Sequence, residues 1–257
     1  MPPAAPSHLV LVCCHATYRG NDPNDEASWI LQGFQKSDQA TGKIGEHHTF
    51  NAHIQVGMSV MANDPSALLV FSGGKTQSQV NITEAESYRQ AMLHANQSKG
   101  KVSFDENRCA VETDATDSFQ NLLFSILRFR NLSGSYPGRV TVITHAFKER
   151  RFLELHGPAI KYPAQSLRVL GINPPFTLAE LQDVQNGEQA RGYEVFRKEL
   201  YGVRQPLIGK RTARGWMSDT DGIPAGGLEE EVQRLLAWQG GESGREVFEE
   251  KLPWEIP

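Results

Sequence analysis

The sequence predicts an α/β protein: a doubly wound, mostly parallel sheet of about five strands, covered by helices on both sides and followed by a C-terminal extension. Three observations predict it. Continuous apolar runs of strand length recur along the chain, as strands buried on both faces require. Helical apolar periodicity fills the gaps between them, which implies right-handed βαβ crossovers. Each run ends in a polar or glycine-rich segment, the place where open α/β sheets bind ligands.

Leu9-Val-Leu-Val-Cys-Cys14 gives the first strand. Residues 16–63 exceed what one crossover needs and are expected to hold one or two helices plus a polar loop around Asn21 to Glu26. The second strand, Ala67 to Phe71, runs into Ser72-Gly73-Gly74. Thr83-Glu84-Ala85-Glu86 is a capping box, after which Ala85, Tyr88, Met92 and Ala95 recur at helical spacing. Arg108 to Glu112 forms the third strand. Asp117 then serves as N-cap to a helix striped with Phe119, Leu122, Leu123, Ile126 and Leu127. Arg139 to Thr144 is a strand ending at His145, and Leu167 to Leu170 is a weaker fifth. A second capping box, Thr177 to Glu180, opens a helix running toward Leu200 and stopped at Gly202. Residues 203–227 read as an arm or ordered loop, with a short amphipathic helix at Leu228 to Trp238. No internal repeat is present. The expected organisation is therefore an α/β domain over residues 1–202, with an arm and short helix over 203–257 packed on it.

Composition narrows the function. With 26 Lys and Arg against 30 Asp and Glu, the net charge of −4 argues against a nucleic-acid or anionic-membrane partner, which demands a strongly basic face. Met1 to Ser7 contains no basic residue and Leu9 to Cys14 supplies only six apolar positions, so no secretory leader is expected. No run approaches the roughly 20 apolar residues that cross a bilayer. Cys13 and Cys14 are neighbours and Cys109 is remote, which suits reduced thiols and a cytoplasmic location.

The candidate site gathers five strand-end segments: Cys14-His15, Ser72 to Thr76, Glu112 to Asp117, Thr144-His145 and Gly171 to Asn173. Ser72, Gly73, Gly74 and Thr76 are expected to present backbone N–H groups and a hydroxyl to an anion, because glycine lets the main chain approach closely. This is no P-loop, since Leu69 occupies the position of its first glycine. No G-x-G-x-x-G follows the first strand and no G-x-S-x-G elbow occurs. The glycine-rich loop usual in Rossmann methyltransferases is missing as well. Candidate acid and base groups are His15, His145, Glu112 and Asp117: two imidazoles and two carboxylates at neighbouring strand ends. Arg151 could grip a phosphate or carboxylate, whereas Arg150 reads as surface. Glu46-His47-His48 with His53 matches no metal-ligand spacing and reads as a solvated helix face; no metal is expected.

The order of these segments resembles the SanA-, YdcF- and ElyC-like family, the domain of unknown function 218, over residues 8–175. The marks are the first apolar strand, Ser72-Gly73-Gly74, Thr83 to Glu86, Glu112 to Asn121, and Val142-Ile143-Thr144 with Phe147 and Arg151. The chain departs from the family pattern at Ala115, Asp117, Ser118 and Gln120, in Cys13-Cys14-His15, and at Lys148, where the family often has His. The resemblance implies a Rossmann-like three-layer α/β/α fold with a strand-end pocket, and S-adenosylmethionine as the leading cofactor candidate.

Two functional expectations follow. The first is a soluble protein that binds an anionic, nucleotide-like small molecule. Ser72, Gly73, Gly74 and Thr76 would hold its polar end, Glu112, Asp117, Ser118 and Asn121 its hydroxyls or amine, and Arg151 a carboxylate or phosphate; Glu84 and Thr144 are further ligand-binding candidates. The alternative is a metal-independent acid–base enzyme, of hydrolase or lyase type, that uses a His–carboxylate pair on a small anionic substrate. The arm from Val203 to Gly227 is a candidate for oligomer formation.

Overall fold

The structure is a computed structural model that describes residues 5–98, 105–216 and 227–255. Strand β1 (His8–Cys13) is followed by a small antiparallel hairpin, β2 (Thr17–Tyr18) with β3 (Trp29–Ile30), and then helix α1 (His47–Asn63). The chain continues through β4 (Ala67–Ser72), α2 (Glu84–Ser98), β5 (Cys109–Glu112), α3 (Ser118–Ser133) and β6 (Arg139–Thr144). A π-helical turn at Arg151–His156 leads into α4 (Gly157–Ala159) and β7 (Leu167–Gly171). Helix α5 (Leu178–Glu188) passes through a second π-helical turn, Gln189–Tyr193, into α6 (Glu194–Lys198). Two short helices follow, α7 (Leu207–Ala213) and α8 (Glu230–Leu236).

The main sheet has the order β5-β4-β1-β6-β7, with every neighbouring pair parallel. The chain winds outward from β1 to β5, then crosses back to β6 and β7. This reversal leaves a crevice at the carboxyl ends of β1 and β6. Alternate residues of β1 serve two cores, as the two-residue repeat of a strand dictates. Leu9, Leu11 and Cys13 pack with α3, α4 and the C-terminal elements, whereas Val10, Val12 and Cys14 pack with α1 and α2. The three layers are those of a Rossmann-like α/β/α fold. Tyr201, Leu207, Trp216, Val232 and Trp254 join the first of these cores.

Local chemistry explains the helix starts. Thr177 and Glu180 form the reciprocal capping box read from the sequence, and Glu86 N–H donates to Thr83 Oγ1 while Thr83 N–H donates to Glu86. Asp117 caps α3 by accepting from Gln120 N–H, and Gly134 ends that helix with φ +79°.

Residues 16–63 hold one α-helix, within the one or two expected, and add the β2–β3 hairpin and two 3₁₀ turns. The helix expected from Thr177 toward Leu200 runs to Lys198 and is widened on the way by the π-turn. One expectation is corrected: the region read as an arm or loop contains α7, which buries Leu207 and Arg211; residues 217–226 of it lie outside the described residues.

Candidate functional site

A cavity of about 800 Å³ opens at the carboxyl ends of β1, β4 and β6 and is closed on its far side by the α5–α6 segment and α7. Among the sequence-predicted residues, His15, Gly73, Thr76, Glu84, Asp117, Ser118, Asn121, Thr144, His145 and Arg151 line it. Ser72, Gly74 and Glu112 lie outside its wall.

Those three build the floor instead. The Glu112 carboxylate is 4% exposed. It accepts from Asp114 N–H at 2.7 Å, from Ala115 N–H at 3.0 Å and from the Ser72 hydroxyl. Burial pushes its carboxyl up to about 7, against the hydrogen bond from Ser72. Asn121 Nδ2 donates to both the carbonyl and the hydroxyl of Ser72 at 2.9 Å. The glycine loop does not cradle an anion as expected. Gly73 N–H donates to Glu112 O and Gly74 N–H to Ala115 O. A Cβ on Gly74 would stand 3.1 Å from the Ala115 carbonyl. These glycines permit close backbone packing, with their donors already used.

Asp117, expected as an acid or base, is a structural anchor. Burial alone would raise its pKa, but the Arg211 guanidinium holds it below the ordinary carboxylate range. Arg211 Nε sits 2.6 Å from Asp117 Oδ2, with the two side chains 3% and 9% exposed.

The wall beside β1 and β6 is a histidine cluster. The rings of His15 and His145 lie 4.5 Å apart, and His53 lies 5.2 Å from His145. Lys148 Nζ is 3.3 Å from His15 Nδ1, and His15 Nε2 is 3.2 Å from Thr144 Oγ1. A charged ammonium only donates, so His15 Nδ1 accepts and Nε2 carries the proton toward Thr144. Burial, then Lys148, drives the His15 and His145 pKa values well below the usual imidazole range. Burial and the neighbouring His145 take His53 down to about 3. All three are therefore neutral. Among the described residues, both ring nitrogens of His145 are buried without a hydrogen-bond partner, and the nearest carboxylate, Glu46, is 3.6 Å away. The expected pairing of His15 or His145 with Asp117 or Glu112 does not occur among the described residues.

Glu46, His47 and His53, read from the sequence as a solvated face, are 6%, 4% and 0% exposed. Glu46 and His47 open α1 and His53 lies nearly two turns further along it, and Glu46 faces the cavity. Only His48 of that group is exposed. Cys13 and Cys14 border the cavity as inert thiols: burial pushes Cys13 up to about 12 and Cys14 well above its ordinary value. Arg150 is on the surface, paired with Glu154.

The opposite wall is cationic. Arg151 forms an ion pair with Glu188 at 2.6 Å. Lys148, Arg191, Lys210 and Arg214 also line the cavity, and no carboxylate lies within ion-pair distance of them among the described residues. Lys148 keeps some accessible surface, but it faces the cavity rather than open solvent. Burial, then the adjacent Arg151, lowers its ammonium from 10.5 to about 8. The acids Glu46, Glu84 and Glu188 are each raised by burial, against the neighbouring Lys148, Thr76 and Arg151 respectively. Arg191 and Glu188 fit because Gly187 and Gly192 carry no side chain: a Cβ there would meet their heads at 2.4 and 2.6 Å. Phe34, 69% exposed, and Phe147, stacked on His145 at 4.8 Å, add aromatic surface to the lining. The described residues contain no cluster suited to a metal ion.

The fold and cavity together define a Rossmann-like α/β/α protein with a cation-rich strand-end pocket. The chain is similar, at 25% identity over 97% of each sequence, to the uncharacterized protein YOR238W of Saccharomyces cerevisiae. No family model matches the chain. No solved structure matches it either. No helix among the described residues is long and apolar enough to cross a membrane.

Proposed function

We propose that this protein binds a phosphorylated, nucleotide-like small molecule in the strand-end cavity. One observation carries the reading: Lys148, Arg191, Lys210 and Arg214 share the cavity without a carboxylate partner among the described residues. Cations held together in a partly desolvated pocket repel one another and are stabilised by a polyanion. The volume of about 800 Å³ matches the usual range for ligands of nucleotide size, roughly 300–1,000 Å³. Phe34 and Phe147 offer faces for a base. The nitrogens of His145, without a partner among the described residues, provide neutral polar groups for hydroxyls.

The resemblance of the motif order to that of the SanA-, YdcF- and ElyC-like family supports a strand-end location and keeps S-adenosylmethionine among the ligands to be tested. That molecule carries a sulfonium, an ammonium and one carboxylate, so the cationic wall favours a nucleoside polyphosphate over it. Acid–base catalysis by His15 or His145 has less support, because neither meets a carboxylate at hydrogen-bond distance among the described residues. The buried, unpaired cysteines suit a reducing compartment such as the cytoplasm.

Calorimetry and thermal shift with nucleoside mono-, di- and triphosphates, sugar phosphates and S-adenosylmethionine test the proposal. Saturable heat with the polyphosphates, strongest at low salt, is the expected result. No heat and no shift across the panel removes the reading.

A further inference from the structure

Ser118 is the first residue of α3 and lines the cavity. Its Oγ is 2.8 Å from His156 Nε2 and 3.1 Å from Arg151 Nη1. Arg151 is a pure donor and occupies a lone pair of the serine oxygen, so the hydroxyl proton is free to point at His156 Nε2. His156 is 0% exposed, held in place by the edges of Phe152 and Phe196 at 5.3 and 4.6 Å. Its Nδ1 has no partner among the described residues. Burial, then the neighbouring Arg151, takes the ring down to about 3, so it is neutral with Nε2 as a hydrogen-bond acceptor, and an anionic substrate bound beside it raises its basicity. Asp117 fixes the serine from the preceding position, through its cap on Gln120 and its pair with Arg211. The amino end of a 16-residue helix adds partial positive charge at the serine.

From this arrangement we propose that Ser118 is a nucleophile, with His156 as its base and Arg151 steadying the developing oxyanion, acting on a phosphoanhydride held by the cationic wall. This inference rests on the polyanion reading of the cavity. A serine, a hydrogen-bonded imidazole and a positive group on the oxygen are the parts that activate a hydroxyl nucleophile. In the first step the Oγ–P bond forms and the bridging P–O bond breaks. The leaving phosphate departs with the bonding electron pair, and the Oγ proton passes to His156 Nε2. In the second step water attacks the phosphoserine phosphorus and the P–Oγ bond breaks. His156 returns its proton to Oγ, and the remaining proton of water goes to solvent. Net reaction is hydrolysis of the anhydride by one water.

The test is covalent trapping of the full-length protein with an alkyl fluorophosphonate, which forms the same Oγ–P bond and expels fluoride. Intact and peptide mass spectrometry should place one adduct on Ser118. Ser118→Ala should abolish it in a protein that circular dichroism shows to be folded. His156→Gln should slow it by about 100-fold or more, the usual contribution of a positioned base. An adduct absent from Ser118, or formed equally fast in the folded His156→Gln protein, overturns the proposal. Calorimetry of the wild-type protein with ATP separates the two readings: binding without a Ser118 adduct refutes the nucleophile alone, whereas loss of both refutes the pocket assignment as well.

Discussion

Replacing Lys148 by Met should stabilise the empty protein and weaken its ligand. Burial and Arg151 lower this ammonium from 10.5 to about 8, a penalty of about 3 kcal/mol for holding the charge. Water in the cavity screens part of it, so about 1–2 kcal/mol is expected in practice. The folded chain binds fewer protons than the unfolded chain between pH 8 and 10.5. The penalty is thus fully present below pH 8 and fades as pH rises through that window. Lys148→Met should therefore exceed wild type by about 1–2 kcal/mol in urea denaturation at pH 7, with the gap closing toward pH 10.5. Taking the difference between the two proteins cancels the other titrating groups. For the ligand, an ammonium about 4 Å from a phosphate charge at an effective dielectric of about 20 contributes about 4 kcal/mol. Desolvation and side-chain ordering offset about half of that, leaving a weakening of about 30-fold in calorimetry with ATP. A variant less stable than wild type at pH 7, or one that binds ATP equally well, would refute the claim that this charge waits for an anion.

Arg211→Met strands the buried Asp117 carboxylate and should cost about 3–5 kcal/mol; an unchanged urea midpoint would contradict the anchoring role of that pair. Gly74→Ala sets a Cβ 3.1 Å from the Ala115 carbonyl and should cost about 1–3 kcal/mol. Gly33→Ala, whose Cβ meets nothing within 4 Å among the described residues, should stay within about 0.5 kcal/mol of wild type. Glu112 is raised from 4.5 to about 7, so the folded state holds an extra proton in that interval. Its contribution is complete below pH 4.5 and lost as pH rises through 7. Glu112→Gln should gain on wild type by up to about 3 kcal/mol between pH 5 and 8; a difference independent of pH would exclude a titrating Glu112.

The five sheet strands were legible because strands buried on both faces must be apolar throughout, as in Leu9 to Cys14 and Ala67 to Phe71. The hairpin was not legible, since two-residue strands such as Thr17–Tyr18 carry no period to read. Helix α7 was hidden because only Leu207 and Arg211 of its seven residues are buried. Strand ends placed His15, Thr144, His145 and Ser118 near one another, a consequence of parallel winding alone. Lys148, Arg191, Lys210 and Arg214 were not placed there. Arg191 and Lys210 come from separate helical segments that meet only after packing, and charges on short helices look solvated in one dimension. The same blindness hid Glu46 and His53, whose burial depends on β2, β3 and β7 lying close by.

The wide turns at Arg151–His156 and Gln189–Tyr193 tie chain length to the character of the crevice. Each holds one residue more than ordinary helical pitch allows. Excising a single residue from the second would restore that pitch and leave the flanking segments in phase, because the wide turn already absorbs the additional residue. Phe196 would keep its place against the His156 ring, and only the bulge itself, where Arg191 rests over Gly187, would be redrawn. A one-codon deletion here would thus reshape the cationic wall while sparing the scaffold, so indels in this stretch among homologues should mark changes of cargo rather than loss of the fold.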